Sequence, residues 1–567
     1  MPARFCLPAV LPSYRLTVPA VPAVLAIITL ACSAAPPPAD LLIYGKVWTG
    51  DSTRPWAEAV ATRGDTIIAV GGRGELDRFR GPNTRLLDNE GALVAPGFMD
   101  NHTHFLDGGF QLASVDLRDA DSPEEFTRRL KAFASERQPG EWIQGGDWDH
   151  ERWPGTPLPR KEWIDSVTPN NPVFVSRLDG HMAVANSLAL KASGITRSTR
   201  PIPGGTIVRD PKTGEPTGLL KDEAMTPVYA AMPDPTDAQE DAALARATQY
   251  ALSRGVTAVG FVSAPWNQTA AIFRAHQGGI LGIRIAIYPP LGDWRRVADS
   301  VTKNGPGDEW LRLDGVKGYM DGSLGSTTAL FFEPFADDPT TSGLETTDRD
   351  SLAAWIGAAD SAGLQVVVHA IGERANAVLL DIYDSVAKAH GVRDRRFRIE
   401  HAQHLRPREV ERIAEQGVIA SMQPYHAIDD GRWAGKRLGP RVVNSYVFRS
   451  LLDHGAHLTF GSDWTVAPID PILGIYAAVT RRTLDDKNPG GWVPEQKITL
   501  EEALRAYTSA NAYGVFAEAA RGMIKPGFRA DLTLLEKDLF GIPPEEIASV
   551  RIRATIAGGK IGYQSSP

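Results

Sequence analysis

Residues 94–104 read VAPGFMDNHTH. Leu93, Val94 and Ala95 lead into Pro96-Gly97, then Phe98, Met99 and Asp100, and the stretch closes on His102 and His104. Residues two apart in a strand project from the same face. Two imidazoles at that spacing, at the end of a buried strand, can hold one metal ion between them. Read alone, HxH is more often a pair of surface or core histidines. Three later segments change that balance: VVVHA (366–370), FRIEHA (397–402) and LTFGSD (458–463) each end a short apolar strand on a residue able to ligate a metal.

Working outward, eight short apolar strands are expected, at 93–100, 256–262, 283–289, 313–320, 364–370, 397–402, 417–423 and 457–463. The segments between them, such as 236–255 and 373–391, place apolar residues at helical spacing, with Thr236 as an N-cap. Eight β/α units predict an α/β fold, a (β/α)8 TIM barrel over 94–104 and 236–519. Its active-site residues should lie at the C-terminal ends of the strands.

The alternation breaks at 105–235, after the first barrel strand. This large insertion holds a helical pattern (122–137), a Trp-rich stretch (141–155), a strand (172–181) and a hairpin-like segment (210–220). It reads as a lid over the catalytic face, or as a structural embellishment. Residues 40–93 and 520–565 alternate short strands with Gly and Asp breaks, which predicts a β-sandwich domain built from both termini.

Residues 1–35 read as an export signal, with Arg4 and Arg15 preceding an apolar run at 16–31. Two readings of its end stand side by side: a lipoprotein signal in which Cys32 is lipidated, and ordinary cleavage near Ala35. Both put the mature protein outside the cytoplasm, periplasmic or membrane-anchored through Cys32, with prolines 36–38 as a short stiff tether.

The composition, 43% hydrophobic and 23% charged, suits a globular protein with a large core. The net charge of -8 includes no basic tract, which argues against nucleic acid as the main partner; a small-molecule substrate is what the family resemblance described below implies. Cys6 and Cys32 are the only cysteines, so a metal in the body of the chain must be held by His, Asp, Glu or a modified Lys. That donor set suits zinc or a similar borderline divalent ion, one or two per chain.

At matching points of the expected barrel fall His102 and His104 (first strand), Lys317 (fourth), His369 (fifth), His401 (sixth) and Asp463 (eighth). The ordered set PGFMDNHTH (96–104), RLDGHMAVANSLAL (177–190), VKGYMDGSLGSTTA (316–329), VHAIGERAN (368–376), RIEHAQ (398–403), SMQPYH (421–426), GSDW (461–464) and KPGFRADLTLL (525–535) resembles the amidohydrolase superfamily. The resemblance spans residues 41–563 and is to the amidohydrolase-3 branch, which includes N-substituted formamide deformylases.

The resemblance implies that His102 and His104 bind the more buried metal and that His369 and His401 complete the site or hold a second ion. Lys317 falls where relatives carry a carboxylated lysine bridging two metals; its alternative is a salt-bridged barrel lysine. Asp463 would bind metal, accept a proton from the attacking water and pass it to the leaving amine. A divalent ion lowers the pKa of its bound water from about 15.7 to about 7, so attack by metal-bound hydroxide needs no Ser or Cys nucleophile.

His181 is a further catalytic candidate, as an oxyanion partner. Asp321, Arg374 and Trp148 are substrate-binding candidates, with Trp153 beside Trp148 in an aromatic wall. His404 and His426 suit supporting roles, and His150, His276, His390, His454 and His457 read as structural or surface residues. The expected activity is hydrolysis of a non-peptide C–N bond, in an N-acyl or N-formyl amine or a cyclic amide. The alternatives are an esterase or lactonase with the same centre, and a non-catalytic exported ligand-binding protein.

Overall fold

Pro96 and Gly97 divide the first long extended run into two strands with different partners. Arg85–Pro96 pairs antiparallel with Leu532–Leu535, whereas Phe98–Thr103 pairs in parallel with Val256–Val262. The expected strand at 93–100 is therefore corrected: 93–96 belongs to an outer sheet and the barrel strand begins at Phe98. The backbone makes the switch, since Gly97 N donates to Asp531 O at 2.8 Å and Phe98 N donates to Gly255 O at 3.1 Å. Gly97 is required there because a Cβ would stand 2.4 Å from Thr257 Oγ1.

This computed structural model describes residues 37–566 except Asp179, His181 and Gly204. The expected export signal, Cys6, Cys32 and the catalytic candidate His181 lie outside the described residues.

The remaining barrel strands are Val256–Val262, Arg284–Tyr288, Gly315–Tyr319, Gln365–Ala370, Arg398–His401, Ile419–Met422 and His457–Phe460. The first three pair in parallel, as do the last five. Parallel bridges at Pro290–Lys317 and Thr103–Trp464 link the two groups on both sides. The result is a TIM-barrel-like α/β fold. Helices such as Asp237–Ser253 and Glu373–His390 alternate with the strands, and Thr236 caps the former through a reciprocal pair with Gln239.

The termini share one seven-stranded sheet, with Leu532–Leu535, Ile552–Ala557 and Lys560–Gln564 joining four strands from residues 41–96. In place of two stacked sheets, it curls around Ile43, Val60, Val94 and Leu532, and Thr66 bridges to Arg529 across the curl. Register shifts within Leu41–Trp48 mark bulges, which increase local twist and allow the curl.

The insertion carries a six-stranded sheet, with the hairpin Gly205–Arg209 and Pro216–Asp222 at one edge. Trp148 and Trp153 stack with centroids 6.1 Å apart inside its core. Their indole nitrogens donate to Val175 O and Ala120 O, both at 2.9 Å. Trp148 is fully buried, so the expectation that it touches substrate is corrected: the pair packs the insertion.

Candidate metal centre

His102 and His104 leave the first barrel strand on one face, as their spacing predicts. Their Nε2 atoms both lie 3.3 Å from Asp463 Oδ1. Backbone bonds bring the two segments together, Asp463 N to His102 O at 2.7 Å and His104 N to Trp464 O at 2.5 Å. His401 ends the sixth strand with its ring 4.8 Å from that of His102 and 4.5 Å from that of His369. Ligand atoms of His102, His401 and Asp463 all lie within 4.8 Å of one another. Lys317 is buried on the fourth strand, its Nζ 4.6 Å from the Tyr319 ring centroid.

His401 (φ 72°) and Asp463 (φ 60°) occupy the left-handed region, which side chains other than glycine rarely adopt. Such backbone cost persists where the surroundings enforce it, and it collects at functional sites.

The electrostatics favour a cation at this point. Burial pushes the His369 imidazole down to about 3, with Lys317 adding to the effect. Burial likewise holds His401 well below the ordinary histidine range, helped by His369 and His102. Both are therefore neutral, with lone pairs to give. Burial would raise the Asp463 carboxyl, but His102 and its other imidazole neighbours hold it well below the usual range. Burial and Lys317 would lower His102, yet Asp463 and Glu400 raise it.

The decisive fit is in the unpartnered atoms. His102 Nε2 and Asp463 Oδ1 are buried without a hydrogen-bond partner. Buried polar atoms are rarely left so, and a bound ion is one of the few explanations. An imidazole nitrogen and a carboxylate oxygen 3.3 Å apart, with His401 in the same cluster, are a donor set that fits a divalent cation.

A sequence pattern described as "Amidohydrolase family" matches residues 85–563. The chain belongs to this family. It is 41% identical to the Arabidopsis thaliana protein named LONG AFTER FAR-RED 3, over 93% of this chain and 92% of that one. It is 26% identical to the N-substituted formamide deformylase of Arthrobacter pascens, over 92% of this chain and 98% of that one. Among solved structures it resembles an uncharacterized metal-dependent hydrolase from Pyrococcus horikoshii, with TM-score 0.73 and 28% identity, covering 89% of this chain and 99% of that one. Members of the amidohydrolase superfamily bind divalent metals, and the His/Asp cluster here is the matching feature.

This amidohydrolase orients its imidazoles through residues that the motif reading did not single out. Glu400 Oε2 lies 2.5 Å from His102 Nδ1, which aims Nε2 inward. Glu400 in turn accepts from Arg398 Nε at 2.7 Å, and Arg398 Nη2 donates to Asn101 O at 3.1 Å. Burial would raise the Glu400 carboxyl, but Arg398 and His102 hold it down at about 2. Gln423 Oε1 lies 2.8 Å from His401 Nδ1, and Gly322 O lies 3.0 Å from His369 Nε2. Asp100 Oδ1 accepts from His102 N and Ser462 N, tying the first strand to the segment that carries Asp463.

Asp321 is corrected from a substrate-binding residue to a positioning residue. Its carboxylate accepts from Leu330 N, Ile371 N and Gly372 N at 2.7–2.9 Å, which leaves little capacity for a substrate. It shapes the turn after His369, whose Nε2 is 3.5 Å away. Arg374 is half-buried in the first turn of Glu373–His390. His404 is buried against Ser445 Oγ at 3.0 Å, a packing role. His426 is closer to the chemistry: its ring stacks 6.5 Å from His401, and its Nε2 is buried without a partner. From the insertion, Arg118 donates to Thr465 O and Val466 O at 2.6 and 2.8 Å, holding the loop that follows Asp463.

Proposed function

We propose that this amidohydrolase cleaves a non-peptide C–N bond in an N-formyl or N-acyl amine, using zinc. The observation that carries the reading is Asp463 Oδ1: buried, ionised and set 3.3 Å from Nε2 of both His102 and His104. A carboxylate so placed can accept a proton from water and return it to the nitrogen of the leaving amine. His102, His401 and Asp463, with His104 and His369 beside them, would hold the ion. When bound, the ion acidifies water and polarises the scissile carbonyl. Arg118 keeps the Asp463 loop in register beneath the insertion, and His426 offers Nε2 beside His401. The deformylase relative supports the formyl class.

A carboxylated Lys317 belongs to the same reading. Lys317 is 1% exposed, and among the described residues its ammonium makes no salt bridge, which speaks against the salt-bridged alternative. A buried ammonium with no salt bridge, resting over the Tyr319 ring, is costly. Loss of a proton from the ammonium, then addition of CO2 to the amine with loss of a second proton, would give an anionic carbamate able to serve as a metal ligand.

The test is turnover of matched N-formyl amines, N-acetyl amines and formate esters by the zinc-loaded protein. The expected result is amide cleavage that falls about 10²–10⁴-fold in Asp463→Asn. Ester cleavage without amide cleavage would contradict the reading. Native mass spectrometry should find one added CO2, lost in Lys317→Ala.

A further inference from the structure

The eight barrel strands are buried along almost their whole length. Among their residues only His457 and Tyr319 are exposed. His457 opens its strand, at the end remote from the metal centre, whereas Tyr319 closes Gly315–Tyr319 at the end that carries the histidines. A single exposed aromatic on a protein surface needs no explanation. One at the C-terminal rim of a barrel, where active-site residues of this architecture lie, calls for one.

Tyr319 is pinned there. It stands in register opposite His369 on the neighbouring strand, with ring centroids 5.3 Å apart and planes at 39°. Lys317, two residues earlier on the same face, brings Nζ to 4.6 Å from the ring centroid. The phenolic hydroxyl is hydrogen-bonded to Oγ of Ser263, the residue that follows Val256–Val262. Ser263 has φ 53°, so the backbone enters the left-handed region at the residue that supplies this hydroxyl. Despite these three neighbours, Tyr319 is 36% exposed. A ring fixed in this way beside the metal centre is a rigid aromatic surface that has little rotamer freedom left to lose on contact.

We propose that Tyr319 is a specificity-determining residue of the metal centre, its ring packing against a planar apolar group on the amine side of the substrate. The inference rests on the N-formyl amine reading above. A formyl group carries no side chain, so an enzyme for N-formyl amines can select only through the amine portion. Aromatic pairs in offset-stacked or edge-to-face arrangement gain beyond the area they bury. An aromatic amine substituent is therefore preferred to a saturated ring of the same carbon count.

The test compares N-benzylformamide with N-(cyclohexylmethyl)formamide. Dissociation constants are measured by calorimetry on the zinc-loaded Asp463→Asn protein, in which turnover is slowed, and turnover is followed separately on the unmodified chain. The benzyl compound should bind about 2–10-fold more tightly. Adding Tyr319→Leu should bring that ratio to about one, and Tyr319→Phe, which keeps the ring, should preserve it; a merely structural tyrosine would shift both ligands together. No preference in the parent, or the same preference in Tyr319→Leu, would overturn the inference. A ratio that depends on Tyr319 without any turnover by the unmodified chain supports this inference and sinks only the amide-cleavage reading. Should the leucine variant fail to fold, crystals of the Asp463→Asn protein with N-benzylformamide decide: a benzyl centroid within about 7 Å of the Tyr319 ring centroid supports the contact, and a benzyl group bound elsewhere refutes it.

Discussion

Glu400 Oε2 sits 2.5 Å from His102 Nδ1 and is itself anchored by Arg398, so Glu400→Gln should disturb two things at once. Metal affinity should fall about 10–100-fold in a chelator competition, as for other partners of ligating imidazoles. Stability should fall by about 3–5 kcal/mol in denaturant unfolding, because Arg398 loses its buried counter-charge. Undiminished metal affinity would show that Glu400 does not orient the ligand. A pH effect belongs to Asp430, whose carboxyl burial pushes from 3.8 up to about 7 although Tyr446 and Gln403 hydrogen-bond it. Between those values the folded chain keeps a proton that the unfolded chain releases. The group's contribution to stability is therefore full below about 3.8 and lost as pH rises through about 7. Asp430→Asn stays neutral, so the melting temperature of the unmodified chain relative to this variant should drop between pH 5 and pH 8; a constant gap would contradict the assignment. His102 and His104 were legible because spacing alone puts them on one face. Glu400 was not: strict alternation sends it away from its neighbour His401, and only the positive φ of His401 turns both toward the centre.

Among elements, the helix Phe105–Gln111 follows directly from the paired histidines and packs on Asp237–Ser253. A Cβ at Gly109 would stand 2.0 Å from Ala243 O, a backbone atom that cannot swing aside. Gly109→Ala should destabilise the fold by about 1–3 kcal/mol in denaturant unfolding, and an unchanged midpoint would show that the helix can slide. The strands after the first were readable as apolar runs, with ends displaced by up to three residues. The division at Gly97 was not readable, because apolar character continues across it. What splits the run is the acceptor Asp531 O, supplied by a segment more than four hundred residues further along the chain. In the insertion, one strand and a hairpin were visible where six strands pair, since pieces such as Val115–Asp116 are too short to show a period.

At the scale of the whole molecule, eight strand signals and a β-rich segment at each end were enough to expect a barrel with a β domain shared by both termini, though that domain was expected as a sandwich and is one seven-stranded sheet. The curl of that sheet was not, because it depends on bulges and on the contact between Thr66 and Arg529. Of the metal candidates drawn from the sequence, His102, His401 and Asp463 bring ligand atoms within 4.8 Å of one another, with His104 beside Asp463 and His369 beside His401; the catalytic candidate His181 lies outside the described residues. Five segments far apart in sequence, each carrying its own structural neighbours, leave His102 Nε2 and Asp463 Oδ1 unpartnered at their meeting point. The most direct test is elemental analysis of the purified full chain after zinc reconstitution and exhaustive dialysis. The account predicts at least one divalent ion retained per chain, and a loss of retention in His102→Ala. A folded chain that retains no metal after reconstitution would contradict it.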